Sequence, residues 1–353
     1  MTRLHVWREG EANLAAADTT RSPADGTRLL PQAIFPRRYE HRNHSRRGDF
    51  DVAPDLRTAV YYAHDGLVFC IDTSGAVVWE RDLHAAGAPE GMTFVTLGYD
   101  DAGRVWALWS LQRRGRGADG RVDEWCVLDA ETGAVLARAG VEVAGAARIL
   151  AHPDGSMLLV TRGMYWGFAT YHGRMADGRL TVAELDAPCW EGRIICDVSP
   201  SGAMLVSTGA EDGDPDVRVH RYPDGEVLST FTVEDLVRGA DEPQEPYIST
   251  GGAGFIDDHH LMITVERGDD DVEHPHEVDW EIHVVVDLRT RRSAVLPPEI
   301  GGDSTSIEPF GDGTYLTHQM FGDAHYRLPD GFVTGRTGQD AGAPGSAPFT
   351  GMR

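Results

Sequence analysis

Residues 149–162 read ILAHPDGSMLLVTR. Two apolar runs of strand type flank a Pro-Asp-Gly turn, the mark of a tight antiparallel hairpin. The same construction recurs as FDVAPDLRTAVYYA (50–63), TLGYDDAGRVWALW (96–109), CDVSPSGAMLVST (196–208), GFIDDHHLMITV (254–265) and IEPFGDGTYLTH (307–318). The turns lie about 45 to 57 residues apart, close to the period of one unit in a circular repeat protein. Each is followed by a second turn joining another pair of short strands: LVFCIDTSGAVVWERDL (67–83), EWCVLDAETGAVLARAG (124–140), RVHRYPDGEVLSTF (218–231), HVVVDLRTRRSAVL (283–296) and HYRLPDGFVTG (325–335). The third unit offers only RLTVAELDAP (179–188) at this place. Every unit is therefore two hairpins, or four strands a to d. Helical periodicity is nearly absent, so the expected fold is all-β.

Four-stranded units repeated about an axis make a β-propeller, which leaves only short, protected edges. Six units are countable, and a single propeller of six blades is expected, with seven as the alternative. A seventh would come from the first 48 residues, where RLHVW and LLPQAIF look like strands. The expected organisation is an N-terminal segment 1–48 able to lend a closing strand, a propeller over 49–336, and a flexible tail at 337–353. Segment 9–27 also reads as flexible from its small and polar composition.

Two of the second hairpins, CIDTSGAVVWERDL and CVLDAETGAVLARAG, carry an Asp-x-x-x-Gly strand–turn–strand pattern. In this the chain resembles WD-repeat-like and quinoprotein-like propellers, over much of 49–336 and in blade pattern alone. The Gly-His and Trp-Asp signatures of WD repeats are missing, and the quinoprotein tryptophan recurs clearly only at Trp79. The resemblance therefore implies the fold and no quinone.

A net charge of −24 over 353 residues, with arginine as the sole basic side chain, argues against nucleic acid and anionic membrane surfaces as partners. No run of about 18 apolar residues exists, and no leader-like apolar stretch opens the chain. Cys70, Cys126, Cys189 and Cys196 have no zinc or redox spacing. The expectation is a cytoplasmic, monomeric protein with reduced thiols.

Blade geometry places the a–b and c–d turns on one face, and the b–c loops on the other, the top. The a–b turns are uniformly tight. The b–c loops range from a few residues to LQRRGRGADGRVDE (111–124), RGMYWGFATYHGRMADG (162–178), AEDGDPD (210–216) and RGDDDVEHPHEVDW (267–280). Insertions gathered on one face of a repeat protein mark its binding face. Tyr165, Trp166, Phe168, Tyr171 and His172 are candidates for an aromatic platform, or for rings folded onto neighbouring strands. Arg113, Arg114 and Arg116 could hold an anionic group or pair with adjacent acids. A second basic stretch, PRRYEHRNHSRRGD (36–49), reads as a solvated strap. His274 and His276 bracket a proline and, with Glu273 and Asp271, could hold a divalent metal, or form only a solvated acidic loop. The nearby DDHH (257–260) belongs to an a–b turn on the opposite face and cannot share that ion.

No cofactor is expected beyond a possible divalent metal. No G-x-S-x-G or H-E-x-x-H motif exists. The expected function is a non-enzymatic scaffold that binds a protein, or a saccharide, through its top face. The alternative is a metal-assisted hydrolase, lactonase or lyase at the top of the central channel.

Overall fold

The computed structural model describes residues 4–9, 13–36, 50–62, 67–82, 93–111, 123–143, 145–163, 169–185, 192–209, 216–237, 246–268, 278–300, 306–319 and 322–333. The strands assemble into seven sheets, each a blade. The first holds Leu4–Glu9, Asn13–Asp18 and Ala33–Pro36. The second holds Phe50–Val52, Thr58–Tyr62, Leu67–Asp72 and Val77–Asp82. The third holds Thr93–Tyr99, Val105–Leu111, Asp123–Leu128 and Val135–Val141. The fourth holds Gly145–Ala151, Met157–Gly163, Thr170–Ala176 and Arg179–Glu184. The fifth holds Arg193–Val198, Met204–Gly209, Asp216–Arg221 and Val227–Thr232. The sixth holds Pro246–Phe255, His260–Gly268, Val278–Asp287 and Arg292–Val295. The seventh holds Ser306–Pro309, Thr314–Gln319 and Gly322–Arg327, and borrows Asp25–Arg28 as its outer strand.

The ring thus has seven blades; the leading count of six is corrected and its alternative holds. The count went astray at the N-terminus. Asn13–Asp18 reads as flexible because it is alanine-rich, yet Leu14, Ala15, Ala16 and Ala17 are fully buried between blades. Small side chains fill that space without the bulk that marks a core strand. Phe332 and Val333, the described part of the fourth strand expected at FVTG, lie in a turn. Val333 is instead buried with Leu328, Leu296 and Tyr315. Asp25–Arg28 takes that edge, pairing Arg28 with Ala324 and Asp25 with Tyr326. Leu29 N donates to Asp323 O at 2.8 Å, and Arg327 N to Ala24 O at 3.1 Å.

The weak third unit has a local explanation. Its c–d hairpin is Thr170–Ala176 with Arg179–Glu184, turned at Asp177 and Gly178 with φ of 51° and 73°. Two consecutive positive φ angles make the tight turn that follows strand twist. Residues 170–178 are therefore strand and turn, and the b–c connection is confined to 164–169. His172, Gly173 and Arg174 disguise the strand in sequence. Gly173 is there because the Trp125 ring of the third blade covers it: a Cβ would meet that ring at 2.5 Å.

Successive blades bury apolar faces against each other. The second and third share Val60, Cys70, Leu97, Val105 and Leu128, and the fifth and sixth share Val206, Val219, Phe255, Ile263 and Val284. Trp79 adds a directional lock, its indole donating 2.8 Å to Ala130 O of the next blade. No described helix is long and apolar enough to cross a membrane.

The closing strand has one intolerant position. Gly26 has φ of +86°, and a Cβ there would lie 2.6 Å from the Tyr326 ring. Gly26→Val should cost about 2 kcal/mol or more, lowering the urea midpoint. An unchanged midpoint would show that Asp25–Arg28 does not close the ring.

Candidate functional site: the central channel and the closing seam

The seven inner strands enclose a channel of about 430 Å³, whose wall includes Leu4, Asp51, Gly98, Arg148, Asp197, Gly254 and Glu308. The a–b hairpins share one register. The strand-closing amides of Ala53, Asp100, His152, Ser199, Ile256 and Phe310 each donate across the turn, to Thr58, Arg104, Ser156, Met204, His260 and Thr314. Two residues before each lie Asp51, Gly98, Leu150, Asp197, Gly254 and Glu308, so one repeat position faces the axis.

Acids at this position reach forward to the next blade. Asp51 Oδ2 accepts from Tyr99 N at 2.7 Å, and Asp197 Oδ2 from Phe255 N at 2.8 Å. Each acid is followed one blade later by a glycine at the same position. A Cβ on Gly254 would stand 3.3 Å from Asp197 Oδ2, and one on Gly98 4.0 Å from Asp51 Oδ2. In the strand YISTGGAGFI it is Gly254 that this close packing requires, because a Cβ there would also lie 2.9 Å from Pro309 of the seventh blade.

Glu308 is the third such acid, and the blade in front of it is the first. There it meets a side chain: Glu308 Oε2 lies 3.3 Å from His5 Nδ1. His5 Nε2 is 3.0 Å from Asp323 Oδ2, and His318 Nδ1 is 2.9 Å from Asp323 Oδ1. His318 Nε2 is 4.0 Å from Glu308 Oε2. Two imidazoles, with centroids 5.6 Å apart, are thus held between two carboxylates. The His5 ring is buried and stacks on Trp7 at 5.1 Å. Burial works to lower the His5 pKa, but the hydrogen bonds with Asp323 and Glu308 outweigh it and leave it raised. Burial likewise works to raise Asp323, and its bonds with His318 and His5 prevail, holding it well below the usual carboxylate range.

The seam lies on the top half of the ring, because His318 and Asp323 pair across the b–c end of the seventh blade. None of its residues stood out in sequence. Glu308 was findable by aligning the hairpins on their turns. His5 was not, because its neighbours are more than 300 residues away and only closure brings them together.

The residues singled out from sequence fare differently. Tyr171 is no platform residue: it is buried with Trp106 and Trp125, and its hydroxyl donates to Glu142 O at 3.0 Å. His172 sits in the same strand, half-buried, 6.3 Å from Tyr222, and burial lowers its pKa. Tyr165, Trp166, Phe168, Arg113, Arg114, Arg116, Asp271, Glu273, His274, His276 and Cys189 lie outside the described residues, as does most of the basic stretch 36–49. DDHH forms the a–b turn as expected, Asp257 Oδ2 meeting His260 Nδ1 at 2.9 Å. Cys70, Cys126 and Cys196 are buried free thiols. Burial pushes Cys70 and Cys126 up to about 11, far from a reactive thiolate.

No family model matches the chain, and no curated protein matches it. Solved structures do. Dihydro-heme d1 dehydrogenase NirN in complex with DHE is similar over 90% of this chain, at 17% identity and a TM-score of 0.52; the chain spans 58% of the length of that one. The Dos1 propeller is similar over 89% of both chains, at 11% identity and a TM-score of 0.46. Kuenenia stuttgartiensis hydrazine synthase is similar over 79% of this chain and 77% of its own, at 14% identity and a TM-score of 0.45. The likeness to the dehydrogenase shows the propeller fold alone, and such a fold hosts many activities.

The wall acid Asp51 gives a pH test. Burial pushes its carboxyl up to about 6, against the Tyr99 and Val52 amides. The unfolded chain releases this proton near pH 4, so between about pH 4 and 6 the folded chain holds the extra proton. The contribution of Asp51 to stability therefore falls as pH rises through that window. Asp51→Asn should remove a slope of the order of 3 kcal/mol across it, measured by urea unfolding at several pH values. A constant wild-type-minus-variant difference from pH 4 to 6 would refute the assignment.

Proposed function

We propose that this propeller is a non-enzymatic binding module that takes a protein, or a saccharide, on its top face. One observation carries the reading. The strand pairs Val105–Leu111 and Asp123–Leu128, Met157–Gly163 and Thr170–Ala176, Met204–Gly209 and Asp216–Arg221, and His260–Gly268 and Val278–Asp287 open at their b–c ends, all on the same rim. The sequence inserted there includes Tyr165, Trp166 and Phe168 at one blade and Arg113, Arg114 and Arg116 at the one before it. Aromatic and arginine side chains are those enriched in interface anchors. The opposite rim is made of short turns closed by backbone hydrogen bonds. Asp51 and Asp197 on the channel wall are engaged in holding blades together, which favours a frame over an acid–base pair.

The second reading, a metal-assisted hydrolase, lactonase or lyase, gains from the His5–His318–Asp323 group near the channel mouth.

The test removes the aromatic segment without touching a strand. Residues 164–168 are replaced by Asn-Gly; Tyr171, a core residue, is kept. Stability should change by no more than about 0.5 kcal/mol. Ligands of the wild-type chain, found on a glycan array or by cross-linking mass spectrometry, should lose at least tenfold in affinity. Full retention of affinity, or cross-links confined to the opposite rim, would overturn the proposal.

A further inference from the structure

The closing seam, at the b–c end of the seventh blade, carries a group of ligand atoms distinct from the long loops. We propose that the junction of the seventh and first blades binds one divalent ion of the zinc class through His5 Nε2, His318 Nδ1 and Asp323, with Glu308 orienting the two rings from their far side.

The donor set is the first argument. One ligand atom from each of His5, His318 and Asp323 lies within 4.8 Å of the other two, and among the described residues this is the one such group of three or more. Ligand atoms around tetrahedral zinc stand about 3.4 Å apart for bonds near 2.0–2.1 Å. Asp323 already lies 3.0 Å from His5 Nε2 and 2.9 Å from His318 Nδ1. Opening those two contacts by a few tenths of an ångström and drawing the rings together by about an ångström makes room for the ion. Two imidazoles and a carboxylate suit zinc, manganese or iron.

The second argument is the outer carboxylate. A ligating histidine donates its other ring N–H to a carboxylate or carbonyl, which fixes its tautomer. Glu308 Oε2 stands beside the remaining nitrogens of both rings, at 3.3 Å from His5 Nδ1 and 4.0 Å from His318 Nε2. His5 Nδ1 is buried, and at 3.3 Å its contact with Glu308 Oε2 is long for a hydrogen bond. Ion binding at Nε2 fixes the proton on Nδ1 and aims it at Glu308. The stacked Trp7 and the tilted Phe310, 5.1 and 6.4 Å from the His5 ring, hold it in place.

The third argument is access. His5 is 3% exposed, but the His318 and Asp323 side chains are 30% and 19% exposed. They leave an entry and further coordination positions for water. Other His–acid contacts, such as His152 with Asp154 and His260 with Asp257, bring only two ligands each.

Such an ion would tie the N-terminal strand to the last blade, so its binding energy would add to ring closure. The experiment uses the full chain stripped with EDTA, titrated with ZnCl₂ and separately MnCl₂ by calorimetry, with elemental analysis and thermal melts. One ion per chain should bind, and the Tm should rise by the order of 5 °C at a hundredfold excess over Kd. Glu308→Gln should weaken binding about 10–100-fold, and His318→Ala by more than that. His318→Ala should keep the metal-free circular dichroism and melt; if it fails to fold, His318→Gln takes its place. A paired His274→Ala, His276→Ala variant should bind as the wild type does. Absence of stoichiometric ion in the wild type, undiminished binding in the His318 variants, or loss of binding in the His274 and His276 variant would each overturn the proposal.

Discussion

A propeller is a ring of sheets, and a ring exists only if its two ends are joined. Each blade here buries one face against the blade before it and one against the blade after it. An open ring would leave two such faces in water, an apolar loss that no single blade could offset. The chain meets this constraint by dividing its first 36 residues. Three strands build the first blade, and the fourth, Asp25–Arg28, crosses to the edge of the last. Backbone pairing with Gly322–Arg327 and the burial of Ala17 and Leu29 beside Phe310 and Leu316 make the joint both hydrogen-bonded and apolar.

Between the ends, contact is renewed at each seam by different means. Apolar burial is common to all seams and has no preferred direction. Direction comes from a few polar locks: the wall acids Asp51 and Asp197 reaching a backbone amide, the Trp79 indole reaching Ala130 O, and the Arg148 guanidinium reaching Cys196 O. Such bonds set how far one blade is rotated against the next, because a buried carboxylate without its amide is costly. At the closing seam the backbone partner is replaced by a histidine. A titratable ring nitrogen, His5 Nδ1, then stands where the seams of Asp51 and Asp197 have a fixed amide donor.

The blades were legible because their turns are local. Pro-Asp-Gly in 153–155 and Asp-Ala-Gly in 101–103 specify hairpins within a dozen residues, and the alternation around them specifies strands. The blade count was not, because Asn13–Asp18 is a core strand built of alanine, and because closure pairs residues 25–28 with 324–326. The fourth blade was misread where Gly173 accommodates the Trp125 ring, a long-range contact that leaves only a weak strand pattern behind. The seam histidines follow the same logic. His318 and Asp323 are near neighbours, but nothing local distinguishes them until His5 arrives from the far end. Acidic loops attract attention in sequence, whereas a buried group of this kind is assembled by topology.

The borrowed strand also sets an order of events. Asp25–Arg28 emerges from the ribosome almost three hundred residues before Gly322–Arg327. At a synthesis rate of 5–20 residues per second it waits roughly fifteen seconds to a minute for its partner. Until then it is an unpaired edge, and Ala17 and Leu29 lack Phe310 and Leu316 of the last blade. Its sequence, Asp-Gly-Thr-Arg, is charged and carries a glycine at positive φ, features that discourage pairing with a stray strand. The residue that fits the Tyr326 ring at the end of folding thus also keeps the nascent chain out of wrong partnerships at its start.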